Sequence, residues 1–148
     1  MDAKATVQAL IYAIQKGDFE KAKTHLTDDF QLSGYFTRPI NAETWLGMSL
    51  SLKKALPNME YHFRVESAQK GNVVVIVSDL KGIHQEELDL TSLNMGIIPA
   101  TNRSVEAGCE HSRLTIQDDK ISSWVVEPNK TTGLMVFLNQ LGVKPPIQ

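Results

Sequence analysis

The fold class of this chain is decided by residues 59–80, which read MEYHFRVESAQKGNVVVIVSDL. Apolar residues occupy the odd positions from Met59 to Val65, and polar residues occupy the even positions between them. This period of two predicts a strand that is buried on one face only. Lys70-Gly71-Asn72 then supplies a turn, and the run from Val73 to Leu80 predicts a second, more deeply buried strand. Because the connection is so short, the two strands are predicted to be antiparallel.

The sequence before this hairpin predicts three helices. Residues 7–14 place apolar side chains at i, i+3, i+4 and i+7, which is one face of a helix. Gly17 can end that helix in the left-handed conformation, and Asp18 and Asn41 are predicted N-caps of the second and third helices. The second helix is expected to extend to Leu26. Three helices before the first long strand disfavour a fold that alternates strand and helix around a parallel sheet.

The sequence after the hairpin predicts two more strands and a closing helix. A third strand is expected from Val105 to Gln117, and Asp118-Asp119 turns it into a fourth from Lys120 to Glu127. Apolar parity shifts within the third strand, which predicts a bulge near Gly108 and a curved sheet. An apolar stripe between Leu134 and Leu141 predicts the last helix.

Together these elements predict one α+β domain over residues 1–148. We expect a cone-shaped, strongly curved antiparallel sheet wrapped on three N-terminal helices, with a short C-terminal helix. The open end of such a cone is a natural site for a small apolar molecule, because a concave cavity removes most of a ligand from water. The connection from Ile83 to Asn102 is long enough to cover that pocket.

Composition and charge exclude several partners. Fifteen Lys and Arg residues against 17 Asp and Glu residues give a net charge of −2, which creates no field to attract nucleic acid or an anionic membrane. Cys109 is the single cysteine, so neither an intrachain disulfide nor a thiolate zinc cluster is possible. The first residues lack a signal-like pattern, and the apolar run from Val73 to Val77 is too short for a membrane span. These features predict a cytoplasmic protein.

Several short segments, in order along nearly the whole chain, resemble one family. They are Lys16-Gly17-Asp18-Phe19, Leu26-Thr27-Asp28-Asp29-Phe30, Leu56-Pro57-Asn58-Met59, Gly82-Ile83-His84, residues 96–103 (GIIPATNR), residues 118–124 (DDKISSW) and Gln140-Leu141-Gly142. They are similar to the motifs of SnoaL-like polyketide cyclases, within the nuclear-transport-factor-2-like superfamily. Asn102 and Asp119 stand where the family usually has glycine, and both residue types tolerate the left-handed region.

The resemblance implies intramolecular aldol closure with no metal or cofactor. In the family an acid/base aspartate usually lies a few residues after the tryptophan of the last strand. Here no aspartate follows Trp124, and Glu127 is the carboxylate within reach. Glu127 could therefore serve as a general base whose pKa is raised in an apolar pocket, or it could be a solvated carboxylate at the rim.

His111 is the predicted partner of Glu127, because a tight turn at Asp118-Asp119 sets the two regions opposite each other. A register shift of one residue would instead put His111 on the outer face, at a dimer surface or in a structural hydrogen bond. Arg113 with Glu110 resembles part of the charge arrangement in epoxide-opening relatives, but the two flanking carboxylates are missing. The four histidines are too scattered to predict a metal site.

The predicted ligand-binding residues are mostly aromatic. They could line the cone and stack on a planar ligand, or they could simply fill the core. His84 matches a family motif, and its alternative role is to orient the long connection through a backbone hydrogen bond. The set comprises Tyr12, Tyr35, Phe36, Trp45, His84 and Trp124.

The sequence thus supports two functions. One is a cofactor-free acid/base enzyme of the aldol cyclase or isomerase type that acts on a small apolar substrate. The other is a binding or dimerisation module that kept the fold and lost the family's aspartate. A homodimer through the convex face of the sheet is expected in either case.

Overall fold

The computed structural model describes residues 2–35, 38–69, 72–91, 95–127 and 132–142. Its helices are α1 (Ala3–Gln15), α2 (Phe19–Thr24), α3 (Ala42–Ala55) and α4 (Leu134–Gln140). Its strands are β1 (Leu26–Ser33), β2 (Ile40–Asn41), β3 (Glu60–Gln69), β4 (Val73–Ile83), β5 (Leu88–Asp89), β6 (Ile97–Ile98), β7 (Ser104–Glu106), β8 (Glu110–Gln117) and β9 (Lys120–Val126). The expected α+β cone, with helices in the N-terminal part and a short C-terminal helix, is confirmed. However, β1 and β2 precede α3, so two helices rather than three come before the first long strand.

The helix boundaries follow from local chemistry. The Asp18 side chain accepts a hydrogen bond from the backbone N–H of Lys21 at 3.1 Å, so it is the N-cap of α2. Asn41 caps α3 in the same way, with 2.9 Å between its side-chain oxygen and the backbone nitrogen of Thr44. One boundary differs from expectation, because Leu26 begins β1 rather than ending α2. A short stripe of apolar residues is compatible with either element.

The main sheet is curled and mixed. Among the described residues its strands run in the order β2-β1-β9-β8-β4-β3, with β7 beside β4. Most neighbours are antiparallel, as predicted, including the β3–β4 and β8–β9 pairs. However, β1 pairs with β9 in parallel, with Leu32 opposite Trp124 and Ser33 opposite Val125. The expected sheet was wholly antiparallel, and this pairing joins strands too distant in sequence for a turn signal to reveal it.

The hydrophobic core lies between the inner face of the sheet and helices α1 and α3. Leu10, Met48, Phe30, Ile76 and Leu114 are each at most 1% exposed. Burying a side chain of this size contributes about 1.5–3 kcal/mol.

The predicted bulge is present between β7 and β8. Ser78 of β4 lies opposite Glu110, and Lys81 lies opposite Glu106, so two residues of β4 face three residues on the other strand. Gly108 has a φ of +76°, a conformation that favours glycine. The extra residue changes which side chains point inward, and from Glu110 onward they are the even-numbered ones.

The long connection after β4 folds into the β5–β6 hairpin. Leu88 and Leu90 are fully buried in the core, and β5 packs against α3. The backbone N–H groups of Gln85 and Glu86 both lie 3.0 Å from the carbonyl oxygen of Ala55 and so complete the end of α3. Within the described part of the chain, no helix is both long and apolar enough to cross a membrane.

Candidate functional site

A cavity of about 90 Å³ lies inside the cone, between α1, α3 and the inner face of the sheet. Its walls are mainly apolar, with Ile11, Leu32, Met48 and Leu52 among the lining residues. Polar side chains also contribute to the lining, namely Gln15, Tyr35, Ser49, Lys53, Tyr61, Ser78, Asp79 and Glu110. The cavity therefore combines a mainly apolar lining with a few polar groups, which is the usual composition of a small-molecule site.

Two tryptophans form one wall of the cavity. Trp45 of α3 and Trp124 of β9 have ring centroids 5.1 Å apart. Trp45 also stacks on Phe30 at 5.4 Å. Both tryptophans are less than a tenth exposed. The three rings pack together, and the two tryptophans present an aromatic surface to the cavity.

A carboxylate faces this cavity from the first residue of β8. Glu110 is half-buried, and the hydroxyl of Tyr35 donates a hydrogen bond to its Oε1. Burial and the charge of Glu110 raise the pKa of Tyr35 well above its ordinary value. The Tyr35 hydroxyl therefore stays protonated at neutral pH and remains a donor to the carboxylate.

A second tyrosine lies beside this pair. Tyr61 of β3 and Ser78 of β4 both line the cavity. Burial raises the pKa of Tyr61 as well, so its hydroxyl is also protonated at neutral pH. The Ser78 hydroxyl in turn lies 3.5 Å from the backbone oxygen of Glu110. One edge of the cavity thus carries a carboxylate and two protonated phenols.

The bulge explains why Glu110 faces inward. Without the extra residue, the parity of Val105 and Ala107 would continue to Cys109 and His111. With it, Glu110 points into the cone. The backbone N–H of Gly108 donates to the Asp79 side chain at 3.0 Å, which ties the bulge to β4. The parity shift near Gly108 is visible in the sequence. Applied to the next residues of the strand, it predicts that Glu110 faces inward and His111 outward.

Neither predicted catalytic residue faces the cavity, and the shift explains this for His111. His111 lies on the outer face, where its Nε2 is 3.2 Å from Glu66 Oε2. Glu127 is exposed, and its backbone N–H donates to the His111 carbonyl oxygen at 2.9 Å. The two regions are therefore adjacent, as predicted from the turn, but neither side chain lines the cavity. The catalytic roles of His111 and Glu127 stay predictions, and among the described residues the carboxylates that line the cavity are Asp79 and Glu110.

The predicted ligand-binding residues divide into two groups. Tyr35, Trp45 and Trp124 line the cavity. Tyr12 is 59% exposed on the outer side of α1 and does not line it. His84 is fully buried, 3.0 Å from the Thr101 hydroxyl.

Backbone bonds around His84 agree with its alternative role. Its N–H donates to Arg103, and its carbonyl oxygen accepts from Asn102, so His84 orients the long connection. No described residue of that connection lines the cavity. Phe36 lies outside the described residues. Within the described ranges, no group of three or more His, Cys, Asp or Glu side chains could hold a metal ion.

Comparison with known proteins finds similarity in structure. No sequence-family profile matches the chain, and no curated protein matches it significantly in sequence. IdmH from Streptomyces antibioticus, provisionally assigned as a polyketide cyclase, is 21% identical with a TM-score of 0.69, over 97% of this chain and 100% of its own. AclR from Streptomyces galilaeus, provisionally assigned as a hydroxylase, is 16% identical with a TM-score of 0.69, over 95% of each chain. A SnoaL-like polyketide cyclase from Agrobacterium tumefaciens is 16% identical with a TM-score of 0.64, over 96% of this chain and 99% of its own.

These similarities define the class of fold. The chain has the α+β cone of nuclear-transport-factor-2-like proteins over almost its full length. Within that class, the neighbours named as SnoaL-like polyketide cyclases agree with the resemblance seen in the sequence motifs.

Proposed function

We propose that this chain binds a small, largely apolar molecule in the cone and catalyses proton transfer next to a carbonyl group, with Glu110 as the general base. The observation that carries the proposal is the Glu110 carboxylate, held by Tyr35 on the wall of a mainly apolar cavity. A general base must reach the proton that it removes. Asp79 and Glu110 both line the cavity, but Asp79 accepts a hydrogen bond from the Gly108 backbone and ties the bulge to β4, whereas Glu110 is held by the Tyr35 hydroxyl.

The proposed step requires only this base and a ketone-like substrate. The Glu110 carboxylate removes a proton from the carbon next to the carbonyl, so the C–H bond breaks and an O–H bond forms on Glu110. The electron pair moves into the C–C bond and onto the carbonyl oxygen, which gives an enolate. Return of the proton to another carbon completes an isomerisation. Attack of the enolate carbon on a second carbonyl, followed by protonation of the new alkoxide by Glu110, completes an aldol closure.

Tyr61 is the proposed donor to the enolate oxygen. Its hydroxyl lies at the same edge of the cavity and remains protonated, because burial raises its pKa. A fixed donor in a site that excludes water stabilises developing negative charge without reorganising at the moment of reaction. Tyr35 has the different task of holding the carboxylate.

Deuterium exchange tests the proposal directly. The probe is acetophenone in heavy water, and NMR follows loss of its methyl proton signal. We expect the protein to accelerate exchange and Glu110→Gln to reduce the rate by about 10²–10⁴-fold, the usual effect of losing a general base. Glu106→Gln is the matched control, because Glu106 is an exposed carboxylate on β7. A rate that falls with Glu127→Gln or His111→Asn, and not with Glu110→Gln, would return the assignment to the residues predicted from sequence.

The alternative is a binding module without catalysis. The family resemblance implies an acid/base aspartate near the end of the last strand. In this chain the carboxylate at that place is Glu127, which is exposed and does not line the cavity. This position favours the alternative. A ligand that binds only the folded protein raises its melting temperature. A higher melting temperature with acetophenone, together with exchange no faster than in buffer, would support this alternative and exclude the enzyme.

From the single cysteine, we also propose a cytoplasmic location.

We further propose a homodimer through the outer face of the sheet. Val125 of β9 is 42% exposed on this face, beside Arg113, and the His111–Glu66 pair lies nearby. Opposite charges around an apolar residue suit a self-complementary contact. Sedimentation at micromolar concentration tests it. A 16.5 kDa species would contradict the dimer, and Val125→Arg should produce that species from a dimeric wild type.

A further inference from the structure

A segment from the C-terminal part of the chain packs on the bulge that precedes Glu110. The Thr132 hydroxyl donates to the Cys109 carbonyl oxygen at 2.6 Å. The backbone N–H of Gly133 donates to the Ala107 carbonyl oxygen at 2.7 Å. These two bonds fix both ends of the bulge and thereby fix the backbone from which Glu110 projects.

The Glu110 carboxylate occupies space that a side chain at Gly133 would enter. A Cβ atom at Gly133 would lie 2.5 Å from Glu110 Oε2, well inside van der Waals contact, and 3.4 Å from its Cδ. Gly133 also has a φ of +106°, which side chains other than glycine rarely adopt. The space that the carboxylate occupies is therefore the space that a side chain at position 133 would fill.

The opposite side of the carboxylate is held by Tyr35. Glu110 Oε1 accepts from the Tyr35 hydroxyl, whereas Oε2 faces Gly133. The carboxylate thus lies between a phenol donor and a glycine backbone. A displacement away from Gly133 would change the geometry of the hydrogen bond to Tyr35.

We infer that Gly133 is a positioning residue for Glu110, and that its missing side chain lets the carboxylate lie against Tyr35 with the orientation needed to remove a proton from the bound molecule. The catalytic consequence rests on the proposed function, whereas the position of the carboxylate depends on the geometry alone. A displacement of about 1 Å can cost about 10²-fold in rate, so a single added methyl group is enough to test the inference.

The test compares two glycine substitutions at either end of α4. Gly133→Ala introduces the methyl group beside Glu110. Gly142→Ala is the matched control, because Gly142 also has a positive φ, of +94°, but nothing lies within 4 Å of its Cβ position. Both variants strain the backbone near α4, and only the first contacts the carboxylate.

Two readouts separate positioning from a merely structural role. Crystal structures should show the Tyr35–Glu110 hydrogen bond broken or rotated in Gly133→Ala and intact in Gly142→Ala. Exchange of acetophenone protons, measured where both variants are fully folded, should fall by about 10²-fold in Gly133→Ala alone. The double variant Gly133→Ala/Glu110→Asp should recover part of the rate, because the shorter carboxylate avoids the new methyl group.

Several outcomes would overturn the inference. One is an unchanged Tyr35–Glu110 hydrogen bond in Gly133→Ala, and another is equal loss of exchange in both glycine variants. If Gly133→Ala does not fold, Thr132→Val removes the bond to Cys109 without adding bulk, and an unchanged exchange rate in that variant would count against the inference. Wild-type exchange no faster than buffer would instead reject the proposed function, while the crystal structures would still decide the position of the carboxylate.

Discussion

Tyr35 and Glu110 are 75 positions apart in the sequence and share a hydrogen bond across the inner face of the sheet. Tyr35 lies just after β1 and Glu110 begins β8, and β9 separates these two strands. In a flat sheet their backbones would be about two strand spacings apart, or roughly 9–10 Å. The curl of the sheet and the length of the two side chains close this gap at the end of β9. The hydrogen bond therefore joins β1 and β8 across the end of β9.

The Tyr35–Glu110 hydrogen bond should be measurable as a coupling energy. Hydrogen bonds to charged groups contribute about 1.5–3 kcal/mol, so we expect Tyr35→Phe and Glu110→Gln to be non-additive by about 1–3 kcal/mol. Urea denaturation of the two single variants and the double variant gives this value. Tyr12→Phe is the control, since Tyr12 is largely exposed, and it should change stability by less than about 0.5 kcal/mol. Strict additivity of the two changes would refute the coupling.

Trp45 is expected to stabilise the fold and to limit the size of the cavity. Trp45→Ala removes a ring that is 7% exposed and packs on both Phe30 and Trp124. The expected loss is about 3–5 kcal/mol of unfolding free energy, which combines lost burial with a residual void. Chemical denaturation measures it, and Trp45→Phe should cost clearly less. A loss below about 1 kcal/mol would mean that neighbouring side chains refill the space, and the cavity would then not enlarge.

Gly34 should be far less tolerant of alanine than Gly17. Both have positive φ, at +111° and +76°, so each substitution brings a left-handed penalty of about 1–2 kcal/mol. A Cβ at Gly34 would also collide with the Val126 backbone, whereas nothing lies within 4 Å of that position at Gly17. Gly34→Ala should therefore lose more stability than Gly17→Ala, because it forces β1 away from β9. Equal melting temperatures for the two variants would contradict this account.

His84 should make the protein less stable in mild acid. Burial lowers the pKa of His84, and that of His25 in the same way, below the ordinary value of 6.5. Below pH 6.5 the unfolded chain therefore binds more protons than the folded chain, and stability falls as the pH falls towards the folded-state pKa. Each group contributes a slope of at most about 1.4 kcal/mol per pH unit.

Denaturation at a series of pH values between 7 and 5 measures this slope. His84→Gln should flatten it and leave the part that belongs to His25. His62→Gln is the control, because His62 is exposed on β3, and it should leave the slope unchanged. A slope that is the same in His84→Gln and in the wild type would show that His84 does not titrate differently in the two states.

Much of the architecture could be predicted from local patterns. The alternation from Met59 to Val65, the caps at Asp18 and Asn41 and the turn at Asp118-Asp119 each depend on residues within a few positions of one another. Asn102 and Asp119 do adopt positive φ, at +56° and +62°, as expected for positions where the family has glycine. The parallel pairing of β1 with β9 could not be predicted in this way, because it joins distant segments and leaves no periodic signal.

The candidate site could be predicted only in part. Tyr35, Trp45 and Trp124 were identified because large aromatic side chains are expected on the concave face, and all three line the cavity. Tyr12 is predicted together with these residues, but it lies on the outer face of α1 and is largely exposed. The alternating pattern of the sequence does not by itself place Glu110 in the cavity, because the bulge near Gly108 changes the face on which the following side chains lie.

By itself, the sequence determined the order and type of the elements, since hydrophobic period, capping and turn chemistry act over short distances. Only the tertiary structure decided which carboxylate enters the cone. A single extra residue at Gly108 exchanges the two faces of β8, so that Glu110 meets Tyr35 inside while His111 meets Glu66 outside. The side-chain period of a strand is two, and one inserted residue therefore reverses the assignments that follow it in the same strand.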